Sequence, residues 1–123
     1  METTYRFIAV ETEGDVFCVQ LKKPRLDEPE IQEFGKELLD LIDERGCRKL
    51  ALGLGPDSLK LLFSIFLAKL VMVRRRILET GGGMRLHDVS ADVMGVFAAC
   101  QLDSFFEFAT DRAAAVAALT ARE

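Results

Sequence analysis

The side chains able to do chemistry in this chain are few. There is one histidine, His87, there are three cysteines (Cys18, Cys47 and Cys100), and a handful of serines stand next to turns or helix starts. A nucleophilic cysteine needs a base, and His87 is the single imidazole available. It sits in the strand-like run Met84–Val89, where alternation turns it away from Leu86 and toward solvent. Cys100 follows a stretch rich in alanine and reads as a small buried residue. No His, Cys, Asp or Glu residues fall at the spacing of a metal site, and no paired carboxylates converge on one loop. These residues predict no catalytic residue, no metal and no other cofactor.

The serines carry more information. An apolar run, Leu50–Leu54, leads into the turn Gly55-Pro56-Asp57-Ser58 and a second short apolar run, Leu59–Phe63. Ser64 then opens a long segment that passes from apolar to basic and stops at Gly81-Gly82-Gly83. A helix mouth presents unpaired N–H groups and a partial positive charge, which suits an anion or a phosphorylated hydroxyl. The glycine triplet ends this helix and so is no phosphate cradle. Arg74-Arg75-Arg76 complements the negative end of the helix dipole and reads as a solvated face.

The elements that position these residues follow from periodicity. Tyr5–Glu13 and Val16–Leu21 flank Gly14-Asp15 as a hairpin. Asp27 is placed to cap a helix whose first turn holds Glu28, Pro29 and Glu30; Glu30–Arg45 is its packed length, with Ile31, Phe34, Leu38, Leu41 and Ile42 on one face. Leu50–Leu54 is apolar on both faces, as a central strand would be. Helices are expected over Ser64–Thr80, over Ala91–Cys100 behind a Ser90 cap, and over Asp111–Ala121 behind a Thr110 cap; Phe105–Ala109 is a last strand. The expected class is α/β: one domain over residues 1–123, with a mixed sheet of four or five strands and helices packed mainly on one face.

Composition narrows the function. Of the 123 residues, 50% are hydrophobic and 29% charged, which suits one packed globular core. A net charge of −4 argues against nucleic acid as a partner. Leu59–Val73 is interrupted by Lys60, Ser64 and Lys69 and is too short to span ~30 Å of hydrocarbon, so no membrane insertion is expected. An odd number of cysteines without C-x-x-C spacing, and no signal-like start, point to reduced thiols and a cytoplasmic protein.

The element order, together with a set of short motifs, resembles the STAS domain of bacterial anti-sigma-factor antagonists. Arg25-Leu26-Asp27 matches the end of the Gly-Arg-Leu-Asp segment before the first helix, and Leu52-Gly53-Leu54 stands for the Leu-Asp-Leu end of the third strand. Leu86–Ser90 and Leu102–Phe108 are similar to the closing strand, helix cap and Leu-Asp-x-x-Phe-x-Ile ending. The signature Asp-Ser-Ser-Gly-Leu-Gly, counted back from Gly81, falls on Phe63–Ala68, with an insertion at Gly55–Ser58.

What the resemblance implies is a non-enzymatic regulator that binds a protein, namely an anti-sigma factor or a kinase of the serine type. Its docking surface would comprise Arg25, Leu26, Asp27, Asp57, Ser58, Ser64, Ile65 and Phe66. The apolar pair Ile65 and Phe66 is either a hot spot for the partner or turns inward to cap the core. The family's phosphoacceptor position is Ile65, which has no hydroxyl; its aspartates fall on Phe63 and Gly53. Ser64 is the nearest substitute acceptor, and the chain is expected to have lost the usual serine switch. The alternative is a structural STAS subunit of a larger assembly, including self-assembly, or of a membrane transport complex.

Overall fold

The computed structural model describes residues 5–23, 25–55 and 63–121. Five strands form one mixed sheet in the order β1-β2-β3-β4-β5, with β1 Ile8–Glu13, β2 Val16–Leu21, β3 Lys49–Gly53, β4 Gly83–His87 and β5 Phe108–Ala109. Only the first pair is antiparallel, closed by a two-residue turn in which Gly14 adopts φ +61°, a conformation glycine reaches without a Cβ penalty. The remaining pairs are parallel, and β3 lies at the centre, as its two-sided apolar character predicts.

Helix α1 spans Glu28–Asp43, α2 Phe63–Glu79, α3 Ala91–Ala99 and α4 Arg112–Ala121. Period-two alternation sorts each strand between two faces. Val19, Leu21, Leu50, Leu52, Met84 and Leu86 enter the main core with the stripes Ile31-Phe34-Leu38-Leu41-Ile42 of α1 and Phe66-Leu67-Leu70-Val73-Ile77 of α2. Phe34 and Phe66 stack at 5.5 Å between ring centroids. Helix α3 joins through Val93 and Phe97, the latter edge-on to Phe106 and Phe108. On the opposite face, α4 is the one described helix; it lies across β2, β3 and β4 with a small separate core of Val16, Cys18, Ala51, Ala115 and Leu119.

The termini of these helices show local chemistry in detail. Asp27 makes a full capping box: its carboxylate accepts from the Glu30 N–H at 2.9 Å, and Glu30 accepts from the Asp27 N–H at 2.9 Å. Ser90 caps α3 as expected. Helix α4 is capped by Asp111, not by Thr110, since the Asp111 carboxylate accepts from Ala114 N at 2.8 Å. At the end of α2, Gly81 (φ +84°) turns the chain, and the Gly82 N–H donates to the Ile77 carbonyl.

Two expectations about elements change, and a third lies outside the described residues. The last strand is Phe108–Ala109, because Phe105 and Phe106 belong to the turn that packs their rings at right angles. The first helix starts at Glu28, where the Asp27 cap puts its first turn, and ends at Asp43, two residues before Arg45. The second short apolar run, Leu59–Phe63, lies outside the described residues except that Phe63 begins α2.

Candidate functional site

Parallel strands leave the sheet at one edge. Gln20 of β2, Gly53 of β3 and His87 of β4 stand in register, so the segments that follow them emerge side by side. Each of the four helices follows a strand leaving this edge, which places their N-termini there together. Arg25 and Asp27 lie between β2 and α1, Ser64 and Ile65 in the first turn of α2, and Ser90 between β4 and α3. Asp57 and Ser58 lie outside the described residues.

Of the residues expected to meet a partner, Arg25, Asp27 and Ser64 are exposed and Ile65 is half-buried. Leu26 and Phe66 do not reach the surface. Leu26 is in the main core at 3% exposure, and Phe66, fully buried, stacks on Phe34. The apolar pair is therefore split: Phe66 turns inward, and only Ile65 remains at the helix mouth. Successive residues on a helix differ by about 100° in direction, which carries Phe66 under the helix and leaves Ile65 on its flank, packed against the main core by part of its side chain.

The edge is held by polar contacts that the sequence motifs do not announce. The Gln20 side chain donates to the Gly55 carbonyl at 2.6 Å, and the Leu54 N–H donates to the His87 carbonyl at 3.0 Å. His87 is 3% exposed, not solvent-facing, and its Nδ1 meets the Asp88 carboxylate at 2.6 Å. Asp88 takes φ +54°, a region that aspartate tolerates better than most residues. Alternation does put His87 opposite Leu86, but that face is covered too.

Gly53 explains why. A Cβ at this position would lie 2.3 Å from Gln20 Oε1 and 2.7 Å from His87 Cε1. The volume in which the resemblance expects an aspartate side chain is filled by the glutamine and the imidazole arriving from the two neighbouring strands. Gly55 is tighter still, since its Cβ would sit 2.0 Å from the Asp88 carbonyl oxygen. Beside this cluster an open groove of about 560 Å³ is lined by Asp88, Ser90, Met94, Phe108 and Thr110, among others.

The cysteines take three different environments. Cys47 is fully buried in the main core, and desolvation pushes its thiol up to about 12. Cys18 lies under α4, its thiol raised by burial and partly offset by the Arg112 guanidinium. Cys100 is exposed at the end of α3, contrary to the buried reading, because the helix stops before its side chain can turn inward. Among the described residues no group of His, Cys, Asp and Glu could hold a metal ion. No helix of the described residues is long and apolar enough to cross a membrane.

The basic triplet of α2 is more engaged than a solvated face implies. Arg76 pairs with Asp43 of α1 at 2.7 Å and with Glu79 at 3.1 Å, and Arg74 lies 4.4 Å from the centre of the Phe105 ring. Buried Glu37 was not singled out by any motif. Its carboxylate accepts from the N–H groups of Arg6 and Phe7 at 2.8 and 3.0 Å, which anchors the chain entering β1. Its apolar neighbours in the helix hide it from periodicity arguments.

No family model and no curated relative matches this sequence. Solved structures do. An anti-sigma-factor antagonist (STAS) domain protein from Planctomyces limnophilus superposes with a TM-score of 0.78 at 23% identity, over 92% of this chain and 97% of the other. A variant of RsbS from Moorella thermoacetica gives 0.76 at 17% identity, over 93% and 95% of the two chains. SpoIIAA, a Bacillus cell-fate determinant, in its phosphorylated form gives 0.67 at 15% identity, over 90% and 98%. The likeness runs over nine-tenths or more of each chain, and the chain has the fold of the STAS domain of anti-sigma-factor antagonists.

Proposed function

We propose that this chain is a non-enzymatic regulator that docks on a protein partner, an anti-sigma factor or serine-kinase-like protein, through the sheet edge where its helix N-termini gather. The docking residues are Arg25, Asp27, Ser64 and Ile65, together with Asp57 and Ser58 of the adjoining turn. Leu26 and Phe66 support this surface from within. The reading is supported by the fold it shares with anti-sigma-factor antagonists and by the accessible polar groups at that edge.

The second part of the proposal is that the usual serine switch is absent. The alignment of the sequence motif supports it: counted back from Gly81, the acceptor position falls on Ile65, which is half-buried in the first turn of α2. The volume matching the family's strand aspartate is taken by Gln20 and His87 over Gly53. A phosphate adds close to two negative charges and repels or attracts partners accordingly; without an acceptor, binding is constitutive. Incubation with a serine kinase of such a partner pair, followed by phosphopeptide mapping, tests this. The expected outcome is no stoichiometric phosphate on any residue of the α2 mouth. Stoichiometric phosphate on Ser64 or Ser58 would mean that the switch has moved and is not lost.

A further inference from the structure

We propose that α4 is a strap that opens as a unit from the second face of the sheet while the main core stays folded, held by Arg112 at one end and Leu119 at the other. The two faces are unequally built. The main core joins three helices and every strand, whereas α4 is attached by Ala115, Leu119 and half-buried Val116 over Val16, Cys18 and Ala51. Leu119 is the one large side chain that α4 buries there. Most other positions of the helix are alanine, and a helix of this length has little stability of its own.

The N-terminal attachment is electrostatic. Arg112 donates to Glu13 through Nε and to Glu11 through Nη1, both at 2.6 Å, and so ties α4 to the edge strand β1. All three side chains are substantially exposed, and exposed ion pairs of this kind contribute little and weaken in salt. Between the clamp and the sheet lies a recess of about 180 Å³ lined by Arg112, Cys18, Gln20 and His87, so the helix does not close tightly on the strands there. A short helix on a thin core, clamped by screened charges over a recess, is the kind of element that opens locally at a free energy well below global unfolding.

The chain carries its own reporters for this motion. Cys100 is exposed, Cys18 is covered by α4, and Cys47 is covered by the main core. Alkylation with a bulky maleimide, read per cysteine by mass spectrometry under native conditions, should label Cys100 first, Cys18 next and Cys47 last. Raising the salt concentration should speed Cys18 alone. Leu119→Ala touches neither the recess nor the clamp, and should speed Cys18 on the order of tenfold or more while Cys47 holds its rate. Arg112→Ala should speed Cys18 roughly three- to tenfold. That variant also removes a cation that favours the thiolate, which on its own would slow the thiol. Equal rates for Cys18 and Cys47 in the wild type, or parallel acceleration of both in Leu119→Ala, would show that α4 opens only with the whole fold and would overturn the proposal.

Discussion

At the scale of single residues, two glycines and one tyrosine carry consequences that can be measured. The Cβ of an alanine at Gly53 would press on Gln20 Oε1 and His87 Cε1, both ends of side chains that can shift at the expense of their contacts to Gly55 and Asp88. At Gly55 the obstacle is the Asp88 backbone carbonyl, 2.0 Å from the new atom, which no rotamer change relieves. Gly55→Ala should therefore destabilise more than Gly53→Ala, by about 1–3 kcal/mol or above in denaturant unfolding. The opposite order would contradict the packing described. The same crowding means that Gly53→Asp would force Gln20 and His87 apart.

Tyr5 is the only tyrosine, so phenolate absorbance reads it without interference. Burial, then the hydrogen bond to Asp40 at 2.5 Å and the charge of Asp40, push its phenol from 10.0 to about 12. Raising this value means the folded state holds the proton more tightly than the unfolded chain does. The resulting stability is complete below the unfolded value and is lost as pH rises from 10.0 toward about 12. Asp40→Asn should lower the titration midpoint part of the way toward the ordinary value, leaving the share due to burial. A wild-type midpoint at the ordinary phenol value would refute the contact.

At the scale of elements, the first turn of α2 separates the roles of adjacent residues. Phe66 is fully buried against Phe34, and Phe66→Ala should cost about 3–5 kcal/mol in unfolding free energy. Ile65→Ala should cost far less and, on the proposed function, should weaken partner binding instead. Equal losses of stability would place Ile65 in the core. This division was only half legible in the sequence: the stripe Phe66-Leu70-Val73-Ile77 follows helical spacing, but the sequence left open whether Ile65 and Phe66 face out as a pair. The central place of β3, the Asp27 and Ser90 caps and the glycine stop all follow from propensity and alternation. What periodicity does not reach is contact between strands. The burial of His87, the role of Gln20 and the emptiness required at Gly53 arise from three residues brought into register from distant parts of the chain. Glu37 was illegible for the same reason, because its partners are backbone groups before β1.

At the scale of the whole molecule, the fold gathers four helix N-termini at one sheet edge and leaves the second face to α4. On the proposed function, this edge binds a protein partner without a phosphorylation switch. The most direct measurement is affinity capture from the native cell with mass spectrometry, run side by side with wild type, Arg25→Glu and Ser64→Asp. Arg25 and Ser64 are exposed, so these changes alter the edge and spare the core. Wild type should capture an anti-sigma factor or serine-kinase-like protein, and both variants should lose it while their unfolding curves match wild type. Capture of such a protein undiminished in both variants, or its absence from the wild-type sample, would rule out this edge as the docking surface.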